Sequence, residues 1–217
     1  MYNPPQFRED RTDVLHQLIR EHSLATLVTA GDEGLIANHV PLILDPEPGP
    51  WGTLRGHLSR ANSQWRDSRP EVHALAIFQG PSAYVTPSWY PSKQETGKVV
   101  PTYNYVVVHA HGPLKTFDDP ALLERNVRAL TALHEAGFPQ PWSVDDAPPE
   151  FIRGLLKGIV GIEIPIARLE GKWKVSQNRD HADREGVIRG LYALGDPESL
   201  AMADEIRQRL ESKTDRP

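Results

Sequence analysis

Cysteine is absent from this 217-residue chain. That excludes disulfides and thiolate chemistry and weakens the case for zinc. No long uncharged apolar run is present, so no membrane span is expected. The opening "MYNPPQFRED" lacks a basic stretch followed by an apolar one, so no secretory signal is expected and the cytoplasm is the simplest compartment. Positive charge is not in excess either: 24 Lys and Arg stand against 29 Asp and Glu, a formal net charge of −5. A dedicated DNA-binding domain draws much of its affinity from neutralising phosphates. DNA as a partner is therefore unsupported by charge, and only a locally basic face would leave room for it. The chain also has no G-x-G-x-x-G after a strand, no P-loop, no G-x-S-x-G and no H-E-x-x-H. Rossmann dinucleotide binding, nucleotide hydrolysis and serine hydrolysis lose support accordingly.

What the chain does have is 20 prolines and 16 glycines, many for a helical bundle and fitting for strands joined by structured loops. Apolar periodicity predicts helices at about 10–22, 119–137, 148–157 and 183–212, the last span broken at "GDP". Leu122, Leu123, Val127, Leu130 and Leu133 form the expected buried stripe of the second. Strands are expected from Leu24, from Leu35 to Leu44 with a bend at Pro41, from Trp51 to Ser59, through "EVHALAIFQG" into "SAYVT", and through "YVVVHAHGPLKTF". In "IVGIEIPIARLEG" the period of two puts Ile162, Ile164 and Ile166 on one face, and "KWKVSQNR" is expected as its hairpin partner across "EGK". Many antiparallel strands with helices inserted late predict one domain over residues 1–217, mainly β with peripheral helices: a small β-barrel.

Four stretches carry polar side chains in unusual places. In "GHLSRANSQW", Leu54, Gly56 and Leu58 alternate with Arg55, His57 and Ser59, and a helix start follows near Asn62. A helix start beside Arg60 suits an anion, with Ser59, Asn62 and Gln64 adding neutral hydrogen bonds. A polar strand exit with a capped helix explains the same residues, and the stretch alone leaves both readings open. In "NHVPLIL", Asn38 and His39 sit in an otherwise apolar strand, where Asn is disfavoured. In "TPSWYPSK" and "VVPTYNYVVVHAHG", aromatics surround Thr102 and Asn104, as in flat-ligand pockets and subunit interfaces. In "KVSQNR", Ser176, Gln177 and Asn178 follow a strand and read most simply as a capped connection. His109 and His111 form an H-x-H pair that could hold a metal, but no third ligand stands at a suggestive spacing. Metal is not assigned.

In this order, "MYNPPQF", "NHVPLIL", "GHLSRANSQW", "YVTPSWYPSK", "VPTYNYVVVHAHG" and "KVSQNR" resemble the PaiB-type proteins, described as FMN-binding negative transcriptional regulators. The resemblance covers nearly the whole chain. It departs at Tyr103, where family members often carry tryptophan, another flat aromatic. It implies the pyridoxamine-phosphate-oxidase-like split β-barrel of FMN-binding type, a homodimer with FMN sites at the subunit interface. It implies that Asn38, His39, Val40, Pro41 and Leu42 run along the flavin ring. His57, Ser59, Arg60, Asn62 and Gln64 would hold the phosphate and ribityl chain. Thr102, Tyr103, Asn104, Ser176, Gln177 and Asn178 would approach the flavin, from the partner subunit. The family label implies a repressor. The alternative is a flavin-dependent oxidoreductase acting on a small aromatic or cofactor-like substrate, with His39, Tyr103 and His109 near the ring; such an enzyme needs no strong motif, because the cofactor carries the chemistry.

Overall fold

The computed structural model describes residues 1–214. A 3-10 turn (Pro5–Phe7) and the short strand β1 (Arg8–Glu9) precede helix α1 (Thr12–Glu21). Strands β2 (Leu24–Gly31), β3 (Gly34–Pro41), β4 (Ile43–Asp45) and β5 (Thr53–Ser59) follow, then α2 (Gln64–Asp67) and the long β6 (Ala74–Val85). A 3-10 turn (Pro87–Trp89) and α3 (Ser92–Thr96) lead into β7 (Thr102–Gly112), β8 (Lys115–Phe117), α4 (Pro120–Glu135) and α5 (Pro149–Leu156). Strands β9 (Ile159–Pro165) and β10 (Arg168–Lys174) come next, before α6 (His181–Leu194) and α7 (Pro197–Thr214). The strands form a six-stranded sheet ordered β1-β10-β7-β6-β2-β3 and a four-stranded sheet ordered β4-β5-β9-β8. The fold is mainly β with helices, as the composition suggests.

The chain divides into two compact units. One comprises Met1–Asp10, Gln79–Val107 and the described residues from Glu170 onward; the other comprises Arg11–Phe78 and Val108–Leu169. In the second unit, the expected strand from Leu35 to Leu44 is two strands in different sheets. Pro41 closes β3 opposite Leu24. With no N–H to donate, it ends the ladder, and Leu42 turns its N–H to the Ser23 carbonyl at 2.8 Å. Leu42 is buried at the bend. Gly56 lies against this corner, where an added Cβ would stand 2.7 Å from the Pro41 carbonyl oxygen and from Leu42 Cδ2. Ile162, Ile164 and Ile166 are all buried, as their alternation predicts.

Two expectations change. Helix α4 buries Leu123, Asn126 and Leu130, while Leu122 and Leu133 stand exposed at the margin. The stripe is turned because Asn126 has a partner inside: its Nδ2 lies 3.4 Å from His57 Nδ1. Strand β10 is not the hairpin partner of β9. It pairs with β1, while β9 pairs with β5 and β8. Pro165 offers no donor to continue the strand, and the next two N–H groups go elsewhere, Ile166 to the Gly52 carbonyl and Ala167 to the His111 carbonyl.

In the first unit, α6 and α7 form an antiparallel pair broken at Gly195, whose φ of 75° is the left-handed cap that glycine adopts without steric cost. Val187, Ile188 and Leu191 of α6 and Met202, Ala203 and Ile206 of α7 are buried with Trp173. Asp180 caps α6 by accepting from the Asp183 N–H at 2.8 Å. Asp183 in turn accepts from the backbone N–H and hydroxyl of Ser92, at 3.0 and 2.6 Å, fastening the α3 segment.

Candidate functional site

In the second unit the residues of interest lie on β3 and at the end of β5. Pleating sends Val40 inward with the core, leaving His39 and Pro41 on the outer face. That face continues through Ala37 and Leu35, which is 80% exposed, and reaches Leu24 of β2, 61% exposed, opposite Pro41. The result is a flat, largely apolar strip with one imidazole.

Asn38 and Gln64, widely separated in sequence, are brought together. Asn38 Nδ2 donates to Gln64 Oε1 at 2.8 Å. Gln64 is 0% exposed. Its Nε2 faces the Leu27 carbonyl at 3.1 Å, Thr29 Oγ1 at 3.2 Å and the Ile36 carbonyl at 3.2 Å. This amide ties α2 to the β2–β3 hairpin.

The turn after β5 satisfies much of its own polarity. Ser59 Oγ accepts from the Ala61 N–H at 3.3 Å, and Asn62 Oδ1 accepts from the Gln64 N–H at 3.0 Å. The Arg60 guanidinium faces Asp118 as a two-point pair, with Nη1 3.1 Å from Oδ2 and Nη2 on Oδ1. Two further N–H groups go to carbonyls, Nε to Lys157 at 3.0 Å and Nη2 to Ile159 at 2.8 Å. The Arg60 hydrogen bonds hold the Asp118 carboxyl below its usual range. His57, half-buried beside Asn126, has its imidazole held below its ordinary pKa by burial.

In the first unit, β7 and the segment after β10 bring Asn104 and Ser176 into contact. Asn104 is 1% exposed, and its Nδ2 donates to Ser176 Oγ at 2.9 Å. Its Oδ1 is buried without a partner. Ser176 has φ 63°, a left-handed backbone that is uncommon for a residue other than glycine. Gln177 is used locally: Oε1 accepts from the Val175 N–H at 2.8 Å and Nε2 donates to the Trp173 carbonyl. Asn178 is exposed.

Two lysines escaped the sequence reading, although the alternation in "KWK" puts them on one strand face. Lys174 Nζ donates to Thr102 Oγ1 and, at 2.6 Å, to the Tyr103 carbonyl. Burial, and then the charge of Lys172, push its ammonium below the usual value. Lys172 is 7% exposed and lies over the Tyr2 and Tyr105 rings at 5.5 and 5.3 Å, donating to the Tyr2 carbonyl at 3.0 Å. Beside them Tyr103 meets Tyr84 edge to face, ring centres 5.7 Å apart, and both are exposed. The first unit thus carries an exposed aromatic pair, a lysine pair and an amide with spare accepting capacity. The H-x-H pair shows ring centres 6.3 Å apart, with Arg168 Nη2 3.1 Å from His111 Nε2.

Comparison with known proteins now adds to this geometry. The family model described as "Putative FMN-binding domain" matches residues 1–168. The chain belongs to this family, the PaiB type. Among relatives of this FMN-binding family, the "Protease synthase and sporulation protein PAI 2" of Bacillus subtilis is 30% identical over 98% of this chain and 100% of its own length. An uncharacterized protein of Emericella nidulans is 35% identical over 98% of this chain and 99% of its own. Among solved structures, a conserved hypothetical protein of Mycobacterium tuberculosis has a TM-score of 0.57 at 10% identity, covering 83% of this chain and 95% of that one. The FAD and heme binding protein of Mycobacterium smegmatis has a TM-score of 0.54 at 14% identity, covering 77% and 73%. At such identities the likeness shows the fold alone, the split barrel. The family match spans "NHVPLIL", "GHLSRANSQW" and "PTYNY" but ends before "KVSQNR", so Lys172, Lys174 and Ser176 rest on geometry.

Proposed function

We propose that the chain is a cytoplasmic flavoprotein that binds FMN and works as a homodimer. The observation that carries this reading is the family match over residues 1–168. The side chains fit such a group in two respects. The buried Asn104 Oδ1 without a partner suits the N–H of a flavin pyrimidine. Lys174 donates to a hydroxyl and a carbonyl rather than to a carboxylate, which leaves its charge for a phosphate. On the second unit, the apolar β3 strip bearing His39 suits a flat ring or a second copy of the chain. Asn38 and Gln64 act as positioning residues that hold this strip in register.

FMN, when bound, supplies the electron transfer, and the protein orients it and tunes its surroundings. In this reading Asn104 and Ser176 orient the ring, Lys174 neutralises negative charge, and Tyr84 and Tyr103 exclude water from one side.

The oxidoreductase reading is favoured over direct repression by one observation. The arginines of α6 and α7 that could have made a basic face are engaged within their own unit. Arg184 is buried, and Arg189 lies 4.0 Å from Glu185. Arg207 stacks over Tyr192 at 4.9 Å, and Arg209 pairs with Glu9 at 2.7 Å. A repressor phenotype would then arise indirectly, through metabolism or a partner protein. Purified protein should be yellow, with close to one FMN per chain, and Lys174→Met should lose flavin where Lys98→Ala does not. A colourless protein that also fails to take up added FMN would sink the cofactor claim. Salt-sensitive binding to one DNA sequence over random DNA would restore direct repression. Sedimentation as a monomer at micromolar concentration would remove the dimer.

A further inference from the structure

The outer face of the four-stranded sheet carries a cleft lined by neither the β3 strip nor Arg60. Its floor is set by register. Ile43 pairs with Arg55, Arg55 with Glu163, and Glu163 with Lys115, so one row crosses all four strands. In the adjacent row His57 faces Gly161, and Gly161 faces Phe117. The Phe117 ring lies directly on Gly161, where an added Cβ would stand 2.2 Å from it. Helix α4 forms the wall with Leu122, Arg125 and Asn126. The volume of this open cleft is about 440 Å³, within the range of small-molecule sites.

The charges in this cleft are not balanced. Arg55 is consumed by the protein, donating through Nη1 to Asp45 at 2.5 Å and through Nε to Glu163 at 3.2 Å. Those two carboxylates are thereby engaged, and Lys115 and Arg125 remain as exposed cations at the rim. Three cations against two carboxylates leave one positive charge in excess. Beneath the rim, Phe117, Leu122 and Ile43 offer apolar surface. Asn126 contributes a buried amide whose Oδ1 has no partner.

We propose that this cleft binds a small aromatic carboxylate of one or two rings. Its charge would be met by Lys115 and Arg125, and its ring would lie against Phe117. A cationic rim over an apolar floor selects against a neutral isostere, which gains the burial but not the charge, and against a cation, which meets like charge. Asn126 gives preference to ligands that also carry an N–H or O–H donor. The site stands independently of the flavin reading.

The test uses the intact chain with whatever flavin it carries. Titration calorimetry with 2-naphthoate is compared with 2-naphthamide and with 2-naphthylmethylammonium. We expect saturable binding of the naphthoate, at least tenfold weaker binding of the amide, and none of the ammonium. Lys115→Gln with Arg125→Gln, both at exposed positions, should weaken naphthoate at least tenfold while circular dichroism and flavin content stay unchanged. Ala129→Trp, on the same wall, should block it. No saturable binding, equal binding of acid and amide, or an unchanged affinity in the double variant would overturn the proposal. So would competition between naphthoate and FMN, because the ligand would then occupy the flavin site.

Discussion

Gln64→Met isolates the amide that ties α2 to the β2–β3 hairpin. Methionine keeps the length and nearly the volume of the side chain, so little is lost in packing. What disappears is the hydrogen bonding. Gln64 accepts from Asn38 and faces three acceptors with Nε2. Two N–H groups can fully serve only two of those three, so the sound count is three bonds. At about 1 kcal/mol net for each buried bond, the loss should be about 2–4 kcal/mol. For a chain of this size that corresponds to a fall in Tm of roughly 5–15 °C. Urea unfolding followed by tryptophan fluorescence measures it, and flavin per folded chain is read in parallel. The family resemblance makes Gln64 a cofactor contact; its geometry makes it a fastener. A stability change under about 0.5 kcal/mol, the size of an ordinary surface substitution, accompanied by loss of flavin, would refute the fastener role.

Burial depresses the pKa values of both His57 and His16, so the unfolded chain takes up these protons first. Their stabilising contribution is complete above an ordinary histidine pKa of about 6.5 and is lost as pH falls from there toward the depressed folded values. The urea midpoint should therefore drop between pH 7.5 and 5.5, and less so in His57→Gln; an identical drop in the variant would contradict the assignment. Gly186→Ala would place a methyl group 1.9 Å from the Trp89 carbonyl oxygen. It should cost about 1–3 kcal/mol by overpacking and change the near-ultraviolet circular dichroism of the Trp89 segment, whereas Gly154→Ala, with open space around it, should not.

The legibility of this chain followed the range of the interaction. Local signals read well: the isoleucine alternation of β9, the bend at Pro41, and the "GDP" break between α6 and α7 are each set by a few neighbouring residues. Pairings that depend on distant chain did not. The apolar pattern on either side of "EGK" has the look of a hairpin, and nothing local reveals that the Ile166 and Ala167 amides bond to Gly52 and His111. The α4 stripe failed for a related reason, since Asn126 is buried by virtue of His57, 69 residues away. Lys172 and Lys174 were visible as an alternating pair, but their significance needed the tyrosines and the Thr102 hydroxyl beside them.

Arg60 is the sharpest instance, and it can be decided. A guanidinium beside a polar turn invites a phosphate, and from sequence that inference is sound chemistry. What the sequence hides is Asp118, 58 residues away, which engages both Nη atoms, while two carbonyls take two further N–H groups. If Arg60 is an anion contact, Asp118 is its competitor, and Asp118→Asn should tighten FMN by removing a rival charge. If Arg60 is a brace between the β5 turn and the α5–β9 connection, the same substitution should leave FMN affinity within twofold and only lower the unfolding midpoint. The second outcome is expected, because four of the five guanidinium N–H groups are already spent on Asp118 and two carbonyls, and the pair is too exposed for its charge to act far. Fluorescence titration with FMN at low and moderate salt distinguishes the two. Tightening that fades with salt would return Arg60 to the flavin phosphate and move the anion contact from Lys174 to the β5 corner.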